Sequence, residues 1–159
     1  MKRIIITLIA LSLIVFCPVT TSNAAVIRQH SIEYLTDGSY YETTITTNDF
    51  HSYSLIRTAS LTRSANKTTT YTSSSGAKLW SVTVTGNFSY IKGKSSKCTS
   101  SSVSATAYSA SWKISNKSSS KSGNTATALA TVLQYSGARP VNSVTRKVSL
   151  TCNVNGNLS

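Results

Sequence analysis

Alternation of apolar and polar residues between Leu79 and Ile91 constrains the fold of this chain more than any other feature. Every second residue from Trp80 to Tyr90 is apolar, apart from Gly86, and the intervening residues are serine, threonine or asparagine. Because side chains of a β-strand alternate between two faces, this segment predicts a strand with one buried and one solvated face. Gly86 falls on the apolar face and indicates a bulge or a close approach of another segment.

Similar short segments recur along the rest of the chain, separated by turn signals. Asp37-Gly38 favours a tight hairpin turn between two of them. Residues 116–124 are polar and contain glycine, which is typical of an exposed loop. Residues 124–135 fit either a helix with an alanine and leucine face or an alternating strand, and we favour the strand. Seven or eight short strands without a convincing helix predict an all-β fold, an antiparallel β-sandwich.

The order Cys98, Trp112, Cys152 resembles that of an immunoglobulin domain, in which a tryptophan packs on a disulfide between the sheets. Such a domain has a tyrosine two residues before the second cysteine, and here that position is Leu150. Much of the predicted β structure also precedes Cys98. An immunoglobulin-like topology and another kind of sandwich therefore both stay open.

The first 24 residues have the layout of a signal peptide. Lys2 and Arg3 precede an apolar run from Ile4 to Phe16, and small residues then lead to a cleavage site near Ala24. The run is shorter than the roughly 20 apolar residues of a membrane span. No later segment is apolar enough for one. We expect a secreted, extracellular protein in which residues 25–159 fold as a single domain.

Cleavage would remove Cys17 and leave Cys98 and Cys152, an even count that predicts a structural disulfide in an oxidising compartment. Closing a loop of this size would constrain the unfolded chain by about 4 kcal/mol. A metal or redox role is not indicated, because the cysteines do not form a CxxC pair and only His30 and His51 could join them. We therefore predict neither a metal nor another cofactor.

Several segments of the mature chain resemble an uncharacterised family of small secreted proteins of Gram-positive bacteria. The resemblance lies in Asp37–Ile45, Leu79–Gly86, Lys97–Ser100, Val148–Cys152 and Asn155-Gly156. It implies export and a compact domain. It transfers no activity and no site residues to this chain.

Acidic residues are confined to the first part of the sequence: Glu33, Asp37, Glu42 and Asp49. Every charged side chain after them is Lys or Arg, so a glycosidase-type pair of carboxylates could come only from the N-terminal hairpin region. A Ser-His-Asp triad could draw on Asp49 and His51, but no nucleophile motif surrounds any serine. We expect no enzymatic activity.

Positive charge is the remaining functional signal. The formal net charge is +12, and removal of Lys2 and Arg3 with the signal peptide lowers it to about +10. Such a field attracts polyanions at long range, although it could also serve only solubility. The lysines lack interleaved aromatic residues on which bases could stack, so nucleic acid is not an expected partner. Two groups at predicted turns or loops are candidates for anion binding: Lys92, Lys94 and Lys97, and then Lys113, Lys117 and Lys121.

Two functions fit these observations. The first is a secreted, non-catalytic basic β-domain that binds an anionic polymer or glycan of the cell surface. The alternative is a cationic secreted effector, bacteriocin-like or host-directed, although no amphipathic helix of the lipid-binding type supports action on membranes. An aromatic sugar-binding platform of Tyr34, Tyr40, Tyr41 and Tyr53 is a further hypothesis, beside the ordinary use of tyrosine in strands.

Overall fold

The computed structural model describes residues 26–47 and 60–159, which form eight β-strands and no helix. The first five strands form one sheet in the order β1-β2-β3-β4-β5, and the last three form a second sheet in the order β6-β7-β8. All neighbouring strands are antiparallel, so the all-β prediction is confirmed. The strands are β1 (Val26–Tyr34), β2 (Tyr40–Thr47), β3 (Leu61–Thr72), β4 (Lys78–Ile91), β5 (Ser95–Ala107), β6 (Trp112–Ser122), β7 (Thr125–Ser136) and β8 (Arg139–Thr151).

The hairpin turn predicted at Asp37-Gly38 joins β1 to β2. Gly38 has a φ of 80°, a left-handed conformation that glycine adopts without steric cost. The Asp37 carboxylate accepts hydrogen bonds from the Ser39 hydroxyl at 2.5 Å and from the Ser39 backbone N–H at 3.0 Å. These bonds lower the pKa of Asp37 below its usual value. The turn therefore fixes the register in which β1 and β2 pair.

One hydrophobic core is built from residues of both sheets. Tyr41, Tyr71 and Trp80 lie in one cross-strand row of the five-stranded sheet, with neighbouring ring centroids 5.1 and 5.4 Å apart. Trp112 of β6 meets this row from the other sheet, and its ring centroid is 6.3 Å from that of Trp80. The facing side of β7 contributes the buried small residues Ala126, Ala128 and Ala130.

The strand order shows that the immunoglobulin-like interpretation is wrong. Within each sheet the described strands pair in sequence order, whereas immunoglobulin strands reach some of their partners through Greek-key connections. The hairpin turns cause this difference, because each brings the chain back beside the strand it has just left. Trp112 is buried as that interpretation requires, but it packs against aromatic rings.

The segment predicted as an exposed loop, residues 116–124, is mostly strand. Residues 116–122 belong to β6, which pairs with β7 from Trp112 to Ser122, and its side chains are exposed from Ser115 onwards. The polar composition predicted the exposure correctly and the conformation wrongly. Pairing with β7 satisfies backbone N–H and C=O groups whatever the side chains are. The ambiguous segment that follows forms the strand β7, as its alternation predicted.

The predicted disulfide is not formed in the structure, where Cys98 and Cys152 are buried free thiols. Cys98 Sγ lies 3.2 Å from the carbonyl oxygen of Ser100, and Cys152 Sγ lies 3.6 Å from that of Asn153. An even cysteine count could not test the pairing geometry, because a disulfide also needs the two Cβ atoms within about 4 Å of each other.

Burial raises the pKa of both the Cys98 and the Cys152 thiol. Since the thiolate is the reactive form, we expect both to alkylate more slowly than an exposed cysteine at about pH 8 in the folded protein. After unfolding they should react at the ordinary rate. Intact mass after iodoacetamide treatment, with and without denaturant, measures this. Rapid labelling of the folded protein, or no labelling after unfolding, would contradict the expectation.

Gly86 lies where the two sheets approach closely. A Cβ atom at this position would stand 2.6 Å from a ring carbon of Phe88 and 3.0 Å from the Cβ of Ala126, which belongs to the other sheet. The pairing of β4 with β5 also shifts register between Asn87 and Phe88. The sequence indicated a bulge or a close approach here, and the structure contains both.

We expect Gly86→Ala to lower the free energy of unfolding by about 1–3 kcal/mol, because the added methyl group overfills a packed core. Ser102→Ala, at an exposed position of β5, is the control and should change stability by less than about 0.5 kcal/mol. Urea unfolding followed by circular dichroism measures both variants. Equal midpoints for the two variants would contradict the close approach at Gly86.

Candidate functional site

The six lysines proposed for anion binding lie at exposed positions on the β4–β5 hairpin and on β6. Lys92 and Lys94 flank Gly93 in the turn after β4, and Lys97 follows in β5. The second group lies entirely on β6, a strand and not a loop: Lys113, Lys117 and Lys121. The first group therefore lies at one hairpin, as expected, whereas the second is spread along a strand.

A bulge after Ile114 divides the three lysines of β6 between two faces. Lys117 and Lys121 pair with buried alanines of β7, and directly paired residues point to the same side of a sheet. Lys113 precedes the bulge and faces the other way, with its Nζ 4.8 Å from the ring centroid of Tyr135. The second predicted group is thus not a single patch.

The edges of the two sheets meet along β5 and β6. Lys121 Nζ donates a hydrogen bond to the carbonyl oxygen of Thr99, and Ser119 Oγ donates one to that of Ser101 at 3.3 Å. Beside this contact lies a cavity of about 730 Å³, which we call the seam cavity, lined by Lys97 and Lys121 among others. One lysine from each predicted group therefore borders the seam cavity.

A second cavity, of about 530 Å³, opens where β8 faces the inner side of β1, β2 and β3. We call it the edge groove. Residues 146–149 of β8 line one side of it. Its other side consists of two cross-strand rows that the register places next to each other: Gln29, Ile45 and Lys67 in one, and Ser31, Thr43 and Thr69 in the other.

The three cations of the edge groove were not among the residues that the sequence patterns indicated: Lys67, Arg146 and Lys147. Lys67 lies almost eighty residues before the adjacent pair Arg146 and Lys147, and neither of these two segments contains a larger cluster of charges. One signal was present in β3, where Lys67 occupies the same face as its neighbours Ala65 and Thr69, both of which are buried. A lysine at an inner position of a strand departs from the pattern that a purely structural sheet requires.

Arg146 is held in the groove by two contacts. Its guanidinium carbon lies 4.1 Å from the ring centroid of Tyr41, and its Nη2 lies 3.5 Å from Oε2 of Glu33. Burial raises the pKa of the Tyr41 hydroxyl, and the positive charge of Arg146 partly opposes this. The Nε atom of Arg146 is buried and has no hydrogen-bond acceptor among the described residues. Buried polar groups normally have a partner. The side chain as a whole is 28% exposed, so other parts of the guanidinium group face the groove.

Lys67 is a partly buried cation on the inner face of β3. Burial lowers the pKa of its ammonium group, because loss of hydration disfavours the charged form. Two ion pairs occur on these strands, Arg146 with Glu33 and His30 with Glu42. Lys67 takes part in neither. An anion in the edge groove would compensate for the hydration that Lys67 has lost.

The four tyrosines proposed as a sugar-binding platform do not share one face, so that hypothesis is wrong as stated. Tyr34 and Tyr40 form a pair with ring centroids 5.5 Å apart. Tyr41 points to the opposite side, where it packs against Tyr71 in the core. Consecutive residues of a strand face opposite ways, which separates Tyr40 from Tyr41. Tyr53 lies outside the described residues.

The hypothetical triad residues Asp49 and His51 also lie outside the described residues. Within residues 26–47 and 60–159, no three His, Cys, Asp or Glu side chains are grouped so that they could hold a metal ion. His30 instead contacts Glu42, with Nε2 and Oε1 2.9 Å apart. The same part of the chain contains no helix that is long and apolar enough to cross a membrane.

Neither protein-family models, nor curated proteins, nor solved structures gave a match to this chain. The function is therefore inferred from the chemistry of its two cavities. Both are bordered by cations and hydroxyl groups, which donate hydrogen bonds to anionic oxygens.

We expect Lys67→Met to raise the free energy of unfolding by about 0.5–1 kcal/mol, or the melting temperature by roughly 2–4 °C, because it replaces a partly buried charge with an apolar side chain. The pKa of Lys67 is lowered in the folded state, so the gain is full at neutral pH and shrinks as the pH approaches 10.5, the ordinary pKa of a lysine. Lys78→Met, at an exposed position, is the matched control. Thermal unfolding at two pH values measures both. A lower melting temperature for Lys67→Met at neutral pH would contradict this expectation.

Proposed function

We propose that this protein is exported, loses its signal peptide near Ala24, and acts as a non-catalytic basic β-sandwich. In this proposal the domain binds an anionic polymer or acidic glycan at the cell surface. The binding is electrostatic and uses hydrogen-bond donors of the two cavities. It requires no cofactor and no chemical step.

The observation that carries the proposal is the absence of carboxylate side chains from residues 60–159. These residues form six of the eight described strands, including the entire three-stranded sheet. A polyanion that lies along these strands therefore meets Lys and Arg side chains without repulsion from side-chain carboxylates. Such a field increases the rate of association and the affinity for polyanions at low salt.

The seam cavity is the part of this surface best suited to a polymer. Lys97 and Lys121 border it from the two sheets, and Lys92 and Lys94 follow the same hairpin to its tip. Several serines also line the cavity, for example Ser89. Ammonium groups bind anionic oxygens and hydroxyls bind sugar oxygens, so this combination suits a charged polysaccharide or a polyol phosphate.

We expect the mature domain to be retained on an anionic polysaccharide resin at low salt, with retention falling steeply between about 50 and 200 mM salt. The double variant Lys97→Gln/Lys121→Gln should elute at lower salt than the wild type. Lys78→Gln/Arg139→Gln removes the same charge from exposed positions away from the seam cavity and should elute between the two. Ion-exchange and cell-wall pull-down profiles measure these differences. Retention that does not depend on salt, or no retention, would contradict the proposal.

A further inference from the structure

We infer that the edge groove is a discrete binding site for one oxyanion group, a phosphate or a carboxylate, of the anionic ligand. The inference deepens the proposed function and rests on it, because it names a specific site within a generally attractive surface. The inference predicts a saturable complex at Lys67 and Arg146, with one oxyanion bound per protein molecule. The diffuse field of the other lysines would not produce such a complex.

Lys67 supplies the principal charge of this site. It lies on the inner face of β3, in register with Ile45 of β2 and Val84 of β4, both of which are fully buried. Burial lowers the pKa of its ammonium group, and no neighbouring charge contributes to that change. A cation in such a place gains more from an anion than an exposed lysine does, because the effective dielectric is lower.

Arg146 supplies directed donors from the opposite side of the groove. The ring of Tyr41 and the carboxylate of Glu33 restrict the orientation of its guanidinium group. These two contacts leave the buried Nε without an acceptor. A guanidinium group has a planar arrangement of N–H donors that matches the oxygens of phosphate and carboxylate. An oxyanion between Lys67 and Arg146 would be attracted by both positive charges, and both residues line the same groove.

Neutral groups complete the lining of the site. The hydroxyls of Thr43 and Thr69 are hydrogen-bonded to each other at 3.0 Å, and Ser31 and Ser149 line the same space. The groove volume of about 530 Å³ is within the range of pockets that hold small ligands, and it is larger than a single phosphate group needs. We therefore expect the oxyanion to be part of a larger molecule, such as a sugar or polyol unit.

Glu33 limits the number of anionic groups that the groove can hold. It is the carboxylate paired with Arg146 in the described part of the chain, and its side chain is 65% exposed. An anion that approached this end would be repelled by Glu33, whereas no carboxylate of the described residues lines the groove beside Lys67. The site therefore accepts one oxyanion near Lys67.

Titration of the mature protein with inorganic phosphate, glycerol 3-phosphate and glucuronate at low salt tests this inference. We expect saturable one-to-one binding in calorimetry, and the preferred probe distinguishes a phosphate source from a carboxylate source. Lys67→Met should weaken the binding by about tenfold or more, because a charge-assisted contact is lost. Arg146→Lys keeps the charge but removes the planar set of guanidinium N–H donors, and it should weaken binding as well. Lys78→Met should bind within about twofold of the wild type.

The outcomes separate this inference from the proposed function. Loss of oxyanion binding in Lys67→Met, together with the raised melting temperature expected for that variant, supports a ligand-binding role and excludes loss of folding. Absence of saturable binding by the wild type, or equal weakening in Lys78→Met, overturns the inference even if salt-dependent retention on polymers persists. Salt-independent retention combined with oxyanion binding at Lys67 would overturn the proposed function and leave the edge groove as a small-anion site.

Discussion

The packing of Trp112 against Trp80 and Tyr71 joins the two sheets, and the rest of the structure depends on it. Trp80 is fully buried and Trp112 is 5% exposed, and removal of a buried tryptophan costs on the order of 3–5 kcal/mol. The backbone of the three-stranded sheet comes close to β3, β4 and β5. Among the described residues, β1 and β2 lack a comparable neighbour. Because one sheet has five strands and the other has three, the inner face of β1 and β2 is only partly covered, and the edge groove occupies that space.

The high serine and threonine content has a structural explanation in the solvated faces of the strands. Roughly a third of the chain is serine or threonine. Paired hydroxyls bond across neighbouring strands, as in Thr68 with Thr83 at 2.8 Å and Thr125 with Thr151 at 3.0 Å. These ladders add cross-strand contacts without charged side chains. The sheets therefore need no acidic partners for their lysines, which leaves the positive charge uncompensated on most of the surface.

The sequence predicted the features that depend on local chemistry. The alternation from Trp80 to Tyr90 gave the strand and its buried face, and Asp37-Gly38 gave the first hairpin turn. It could not predict the strand order, because hydrophobic patterning does not specify which elements pair at long range. It failed at residues 116–122 because an edge strand can be polar throughout. It missed Lys67 and Arg146 as a pair, since their proximity depends on how the two sheets dock.

The strand order has a consequence for how the chain folds. Every described pairing joins strands that are adjacent in sequence, so both sheets can grow by the addition of one hairpin at a time. A topology with such local pairing has a lower loop-closure cost than a Greek key of similar size and is expected to form more rapidly. Docking of the two finished sheets is then the one step that brings distant segments together. Such a route keeps apolar strand faces exposed for a shorter time, which lowers the risk of aggregation during folding.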